Sequence, residues 1–349
     1  MDGDFYVEYG RLDDYQRNII KTLFYNNEVV AGKAGTGKSL IALHKLAKVP
    51  QGKTACLVVF TKSLKRYFED GIKALKIENY KVQYRDEWDG QHVDYLFVDE
   101  CQDFEPGDIA KFIESCDKCF FFGDSEQTIM NFAGRMTQSV EETARQLGVK
   151  PHILYVNYRL TRENAALAER VGNTDNLVNH CKRNGVKPRL IAGATFDQQL
   201  DEIIRIVKEQ NLTRVGILVP YNTEYRALCS PNKDKKLSVE YVRNYCNSHG
   251  MNVEFKMNSN YGNQMELDFH ASTPKVVVWN CAKGLQFNDV FIPFCETAYD
   301  DAKRRALYVS CTRAYERLYI GYTGQPNPEI FPEIGSDYYT TTTTTIEEI

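Results

Sequence analysis

Gly32-Lys33-Ala34-Gly35-Thr36-Gly37-Lys38-Ser39 reads G-x-x-x-x-G-K-S, a spacing suited to holding phosphate. Gly32, Gly35 and Gly37 permit backbone conformations that side chains forbid, so successive N–H groups can turn inward on an anion at the positive end of a helix. Lys38 would add a point charge for the β- and γ-phosphates and Ser39 a hydroxyl for Mg²⁺, with Ala34 and Thr36 completing the cradle. A second set follows an apolar run, in Tyr95-Leu96-Phe97-Val98-Asp99-Glu100-Cys101-Gln102-Asp103. Asp99 can hold the Mg²⁺ shared with Ser39, and Glu100 can orient and deprotonate an attacking water. Gln127, just after Gly123-Asp124, stands where it could feel a γ-phosphate. Loop and acids together favour a site that hydrolyses a nucleoside triphosphate.

These residues need strands behind them and helices after them. Val29-Val30-Ala31 runs into the loop as a strand, and Leu40 to Lys48 follow as an amphipathic helix. Thr54 to Phe60, Tyr95 to Val98 and Cys119 to Phe122 are continuous apolar runs, suited to parallel strands buried on both faces. Ligands collect at the carboxyl ends of such strands, so Thr61-Lys62-Ser63 is placed to meet a polyanion, with Thr61 as a plain helix cap the equal alternative. A helix through Ile19, Ile20 and Leu23 opens at Asp13 or Asp14 and carries Gln16, whose two-sided amide could read an adenine edge. Four parallel strands with intervening helices predict one doubly wound α/β domain over residues 1–148.

The second half repeats the style without a phosphate loop. Strand-like runs at His152–Val156, Val215–Val219, Lys275–Trp279, Val290–Phe294 and Leu318–Gly321 alternate with helical patterns at Arg162–Val171, Phe196–Glu209 and Val239–Asn247. This predicts a second α/β domain over 149–334, with polar loops at Ser230–Lys236 and Asn258–Asn263. The tail, 335–349, ends in a threonine run and is expected to be disordered.

Composition bounds the function. With 349 residues, 43% hydrophobic and 26% charged, the chain has material for two cores and the balance of a soluble protein. No segment approaches the ~18 apolar residues of a membrane span, and the acidic start, Met1-Asp2-Gly3-Asp4, is unlike a signal peptide, so a cytoplasmic protein with no membrane partner is expected. Most of the ten cysteines sit singly in apolar runs, as buried hydrophobes in a reducing compartment. Cys116 and Cys119 form a C-x-x-C without a second pair at zinc-ribbon spacing. The net charge of −4 excludes a wholly basic surface, so contact with nucleic acid needs a local groove.

In order along the chain these blocks resemble the UvrD/Rep-like superfamily 1 helicases, in a compact form without their large 1B and 2B insertions. Leu12 to Gln16 matches the family's Q motif, the phosphate loop its motif I, and Asp99-Glu100-Cys101-Gln102-Asp103 its DExQD. Gly123, Asp124 and Gln127 match GDxxQ, and Asn157-Tyr158-Arg159 matches NYR. Lys283-Gly284-Leu285-Gln286-Phe287 resembles KGLEF, and Ala306 to Ala314 looks like ALYVAxTRA. The resemblance implies two RecA-like doubly wound parallel-sheet domains, the P-loop NTPase helicase core, with ATP and Mg²⁺ at the interdomain cleft.

Carried onto this sequence, the resemblance has Gln16 reading adenine, Tyr158 stacking on it and Gln286 near the nucleotide, with Arg159 and Arg313 reaching the γ-phosphate from the second domain. Thr61, Lys62 and Ser63, together with Asn280, would touch the phosphates of the strand, and Phe132 would stack on a base where the family has tryptophan. Ile129 and Met130 leave an ordinary core role open for Phe132. Several family residues are replaced: the arginine after that tryptophan is Ala133, Thr-x-His is Val278-Trp279-Asn280, the GLE acid is Gln286, and Leu40 follows Ser39. These losses touch nucleic-acid grip and ribose contact, whereas the hydrolytic set is complete.

The favoured function is an ATP-driven translocase or helicase on single-stranded DNA, with RNA possible and 3′ to 5′ movement implied by resemblance alone. A helicase-like ATPase serving as a regulatory or sensing subunit for a partner such as a nuclease is the alternative. A P-loop enzyme acting on a small molecule is the weakest reading, since it has no use for Arg159 and Arg313.

Overall fold

Alternation decides the first unit. In β2 (Ala55–Val59) Leu57 and Val59 pack into one hydrophobic cluster while Cys56 and Val58 pack into another. A strand with two buried faces has to be apolar at every position, and all five residues are buried. β4 (Val93–Val98) does the same, sending Phe97 to the first cluster and Leu96 and Val98 to the second.

The computed structural model describes residues 7–78, 80–124, 136–191, 193, 195–256, 267–269, 271–324 and 334–341. The chain forms two compact units, Met1–Tyr158 and Arg159–Ile349. In the first, β1 (Glu28–Gly32), β2, β3 (Lys81–Tyr84), β4, β5 (Cys116–Gly123) and β6 (His152–Leu154) make one parallel sheet in the order β3-β2-β4-β5-β1-β6. Val98 is opposite Phe121 and Ala31 opposite Gly123, so the carboxyl ends of β4, β5 and β1 lie in one row. The phosphate loop, the Asp99-Glu100 pair and Asp124 all leave from that row.

A buried ion pair supports β1 from its other end. The ammonium of Lys45 has no solvent exposure; it donates to Thr22 Oγ1 at 2.6 Å, Ile19 O at 3.0 Å and Glu28 Oε1 at 3.2 Å. Burial lowers its pKa and the Glu28 charge acts against that. Removing the anion strands the cation in the core, so Glu28→Ala should cost about 3–5 kcal/mol in a denaturant melt. A cost below ~1 kcal/mol would show that the backbone carbonyls alone satisfy Lys45.

In the second unit β9 (Arg189–Leu190), β10 (Val215–Val219), β11 (Glu254–Lys256), β12 (Lys275–Val278), β13 (Phe287–Ile292), β14 (Ala314–Ile320) and β15 (Thr340–Thr341) form a parallel sheet in the order β11-β12-β10-β13-β14-β9-β15. β7 (Asn157–Thr161) and β8 (Cys181–Arg183) pair separately. The helix Asp301–Cys311 packs closely on the helix Arg162–Gly172, since a Cβ on Gly172 would lie 2.6 Å from the Tyr308 ring. Two parallel-sheet α/β units are therefore present, as the sequence predicts.

Three expectations are corrected. The first sheet has six strands rather than four, because Lys81–Tyr84 and His152–Leu154 join its edges. His152–Leu154, expected with the second half, pairs with β1 instead; an apolar run this short carries no sign of which sheet takes it. The tail expected to be disordered supplies an edge strand, with Thr340 and Thr341 paired to β9 and Thr340 N donating to Pro188 O at 2.8 Å. Threonine suits a strand edge, and the free edge of β9 gives it donors and acceptors. The loop at Asn258–Asn263 lies outside the described residues.

Candidate functional site

The phosphate loop is held by its carbonyls. Gly32 O accepts from Lys38 Nζ at 2.7 Å and Lys33 O from Thr36 Oγ1 at 2.8 Å. Ala34 O accepts from Asn157 Nδ2 at 2.7 Å, Gly35 O from Tyr158 N at 2.9 Å and Thr36 O from Gln16 Nε2 at 3.0 Å. Five consecutive carbonyls are thus satisfied from within the unit, which leaves the amide edge of the loop for an anion. Gly37, at φ 89°, enters the helix Lys38–Leu46 in the left-handed region, and a Cβ there would lie 2.7 Å from Gln16 Nε2. Only glycine meets both conditions.

Gln16 and Tyr158, both expected at adenine, are brought together through Asp13. Asp13 caps the first helix, accepting from Gln16 N at 2.7 Å, and its other oxygen accepts from Tyr158 Oη at 2.5 Å. Gln16 is buried with both amide ends in use: Oε1 accepts from Asp13 N at 3.2 Å while Nε2 holds the loop. In this arrangement Gln16 braces the loop. The Tyr158 ring is exposed enough to stack on a base.

Ser39 and Asp99 meet, as the metal reading requires. Ser39 Oγ donates to Asp99 Oδ2 at 2.7 Å, and Asp99 is fully buried with no hydrogen-bond partner for Oδ1 among the described residues. Burial, followed by the nearby charge of Glu100, pushes its pKa up to about 7, against the Ser39 hydrogen bond and the Lys38 charge. A buried carboxylate with an orphaned oxygen beside a hydroxyl fits a hard divalent cation such as Mg²⁺. Glu100 follows at φ 54° and ψ 44°, a left-handed conformation unusual for glutamate, and its Oε2 accepts from Gln102 Nε2 at 2.7 Å. Backbone strain of this kind costs on the order of 1–3 kcal/mol and clusters where a side chain must be aimed.

In the second unit Arg159 and Gln286 are in contact, Nε donating to Oε1 at 2.8 Å. Arg313 is buried; its Nε donates to Val309 O at 2.8 Å, Nη2 to Thr312 Oγ1 at 2.7 Å and Nη1 to Leu285 O at 3.4 Å. Its burial excludes the solvated salt-bridging role that an isolated arginine would have. Sequence reading missed Arg183, which stacks on Tyr315 at 3.6 Å and donates to Arg159 O and Tyr315 O at 2.8 and 2.7 Å, fixing the backbone that carries Arg159. No local pattern distinguishes it from a surface arginine. Where the resembling helicases have an acid, Gln286 is neutral. Gln286→Glu would set an anion against Arg159 Nε and should lower ATP turnover about 10-fold, read as kcat at saturating ATP. Unchanged kcat would separate Arg159 from the chemistry.

The strand-contact residues are partly placed. Thr61 is the N-cap of Lys62–Ala74, accepting from Leu64 N at 3.2 Å, and the Lys62 ammonium lies 5.7 Å above the Tyr84 ring. Asn280, half-buried, is in the turn Trp279–Ala282. Gln127, Phe132 and the side chain of Ser63 lie outside the described residues. So do Ile129, Met130 and Ala133.

The model of the viral superfamily 1 RNA helicase core domain matches residues 28–210, more than half of the chain. The chain belongs to the superfamily 1 helicases. The UvrD-like helicase C-terminal domain matches residues 279–320, which include Asn280, Gln286 and Arg313 of this helicase. No curated protein matches it by sequence. Among solved structures it is similar to the arterivirus nonstructural protein 10 helicase at 16% identity and TM-score 0.48, over 91% of this chain and 64% of that one. The PRRSV helicase gives 12% identity and TM-score 0.49, over 91% and 56%. The C-terminal domain of a possible DNA helicase from Lactobacillus plantarum WCFS1 gives 18% identity and TM-score 0.36, over 53% and 98%. The chain spans less than two thirds of the length of the arterivirus protein.

Proposed function

We propose that this helicase is an ATP-driven motor on single-stranded nucleic acid, with DNA as the favoured track and 3′ to 5′ as the favoured direction. The observation that carries the reading is the Ser39–Asp99 hydrogen bond beside Glu100, at the mouth of a loop whose carbonyls are all tied away. That is the equipment of triphosphate hydrolysis, in a chain of a helicase family. Ser39 and Asp99 would hold Mg²⁺, which would supply positive charge against the negative charge developing on the phosphates. Lys38 neutralises the same phosphates, and Glu100 takes the proton of the attacking water. Gly32, Ala34, Gly35, Thr36 and Gly37 wrap the phosphates, with Tyr158 against the adenine and Gln16 near it.

Arg159 and Arg313 act on the γ-phosphate of nucleotide held by the loop, with Gln127 sensing it and Gln286 beside Arg159. Their permanent charge and planar fork suit phosphate oxygens. Loss of the γ-phosphate removes what these groups grip, so the grip on nucleotide and on strand changes with each turnover. Thr61, Lys62, Ser63 and Asn280 would hold the strand phosphates and Phe132 a base. Among the described residues no helix is long and apolar enough to cross a membrane. Cytoplasmic action is part of the reading.

The test is ATP turnover titrated with single-stranded DNA, single-stranded RNA and duplex at two salt concentrations. A single strand of one kind should stimulate, and the stimulation should need more strand at higher salt, because phosphate contacts release counterions. Turnover indifferent to every strand would overturn the motor reading. With a stable protein complex, that result is what the regulatory-subunit reading predicts.

A further inference from the structure

The two arginines that the reading above sets on the γ-phosphate belong to one ring of contacts within the second unit. Arg159, on β7, donates through Nε to Gln286 Oε1 at 2.8 Å. The residues on either side of Gln286 both bond to Arg313: Leu285 O accepts from Arg313 Nη1 at 3.4 Å, and Phe287 N donates to Arg313 O at 3.1 Å. Two positions past Arg313, Tyr315 O accepts from Arg183 Nη1 at 2.7 Å, and the same nitrogen donates to Arg159 O at 2.8 Å. The ring closes there.

The shape of Arg183 suits that closure. An arginine Nη carries two hydrogens, and here each goes to the carbonyl of a different segment. Nη2 donates to Glu316 Oε1 at 2.7 Å, and the guanidinium lies 3.6 Å from the centroid of the Tyr315 ring. Stacked and bonded on β14, the planar fork is held in one orientation, and the carbonyl of Arg159 is fixed against it. β7 and β8 form a two-stranded sheet of their own, so the ladder of β14 does not extend to Arg159. Side chains make the tie, and Arg183 is the one that bonds both backbones directly.

We propose that Arg183 is a positioning residue that keeps Arg159 in register with Arg313, so that the two arginines act on the γ-phosphate as a pair. The inference rests on the motor reading above, and its test separates the two. In the full chain, kcat and KM for ATP are measured for Arg183→Lys, for Arg159→Ala and for the double variant, with the melting temperature of each. Arg183→Lys keeps the charge and loses the fork.

In the otherwise wild-type chain Arg183→Lys should lower kcat about 10-fold with KM within about twofold, because a misplaced arginine is felt mainly in the transition state. In the Arg159→Ala background the same substitution should lower kcat less than about threefold, since the pair it serves is already broken. An equal loss in both backgrounds would mean that Arg183 supports the unit in general, and would overturn the pairing. Unchanged kcat in folded Arg183→Lys would overturn it as well. Should Arg183→Lys fail to fold, Tyr315→Leu, which removes the ring under the guanidinium and leaves the carbonyls, is compared in the same two backgrounds and decides in the same way. Wild-type kcat in Arg159→Ala removes the γ-phosphate role of Arg159 and this inference with it. A slow Arg159→Ala protein in which Arg183→Lys still costs its full factor removes this inference only.

Discussion

Glu100→Gln is expected to bind ATP within about twofold of the wild type while turning it over about 10²–10⁴-fold more slowly, the usual contribution of a placed general base. The substitution keeps the shape of the side chain and an oxygen able to accept from Gln102 Nε2, so the turn after β4 should remain as it is. What disappears is the ability to take a proton from water. The carboxylate is also a charge beside buried Asp99, and removing it relieves the repulsion that raises the Asp99 pKa. Parallel measurement of nucleotide affinity and single-turnover hydrolysis checks the retained binding and the slowed turnover. A matching loss in both would make Glu100 a binding residue rather than the base.

Arg313→Ala is expected to lower kcat about 10³–10⁵-fold, the range that an arginine on the γ-phosphate supplies in phosphoryl transfer. Lysine should not restore it, since a point charge cannot reproduce the planar fork. A buried arginine also has structural work. Val309 O, Leu285 O and Thr312 Oγ1 accept from its guanidinium, and losing these bonds in a buried site costs about 1–3 kcal/mol. The melting temperature of the variant must therefore be measured alongside its turnover. A folded variant with wild-type kcat would remove Arg313 from the chemistry.

Much of this was legible in the residues because the decisive features are local. A short apolar run with no polar interruption, rich in β-branched and aromatic residues, suits a strand buried on both faces, and β1, β2, β4 and β5 lie where such runs predict. The loop and the Asp99-Glu100 pair then follow from chain direction. Lys81–Tyr84, Arg189–Leu190 and Glu254–Lys256, among the strands that the sequence does not announce, are short and mixed in polarity, and gain their conformation from the edges they pair with.

The braces of the site were less legible for a different reason. Asn157 reaches Ala34 across 123 positions of sequence, Gln16 reaches Thr36 across 20, and Arg183 reaches Arg159 across 24. The motif strings hold Asn157, Gln16 and Gln102, but a string does not say which carbonyl or carboxylate each one holds. Thr61 shows the converse: its hydroxyl, read equally as cap or phosphate contact, is the cap of its helix.

The central claim is that nucleotide state sets the grip on the strand. The most direct measurement is the affinity of the Glu100→Gln protein for a single-stranded oligonucleotide with and without saturating ATP and Mg²⁺, at one salt concentration. A coupled motor should change that affinity by about 5–150-fold, the usual range for coupled sites, and ATP affinity should change by the same factor when the oligonucleotide is present. Equal affinity in the two states, in a protein that binds both ligands, would contradict the account.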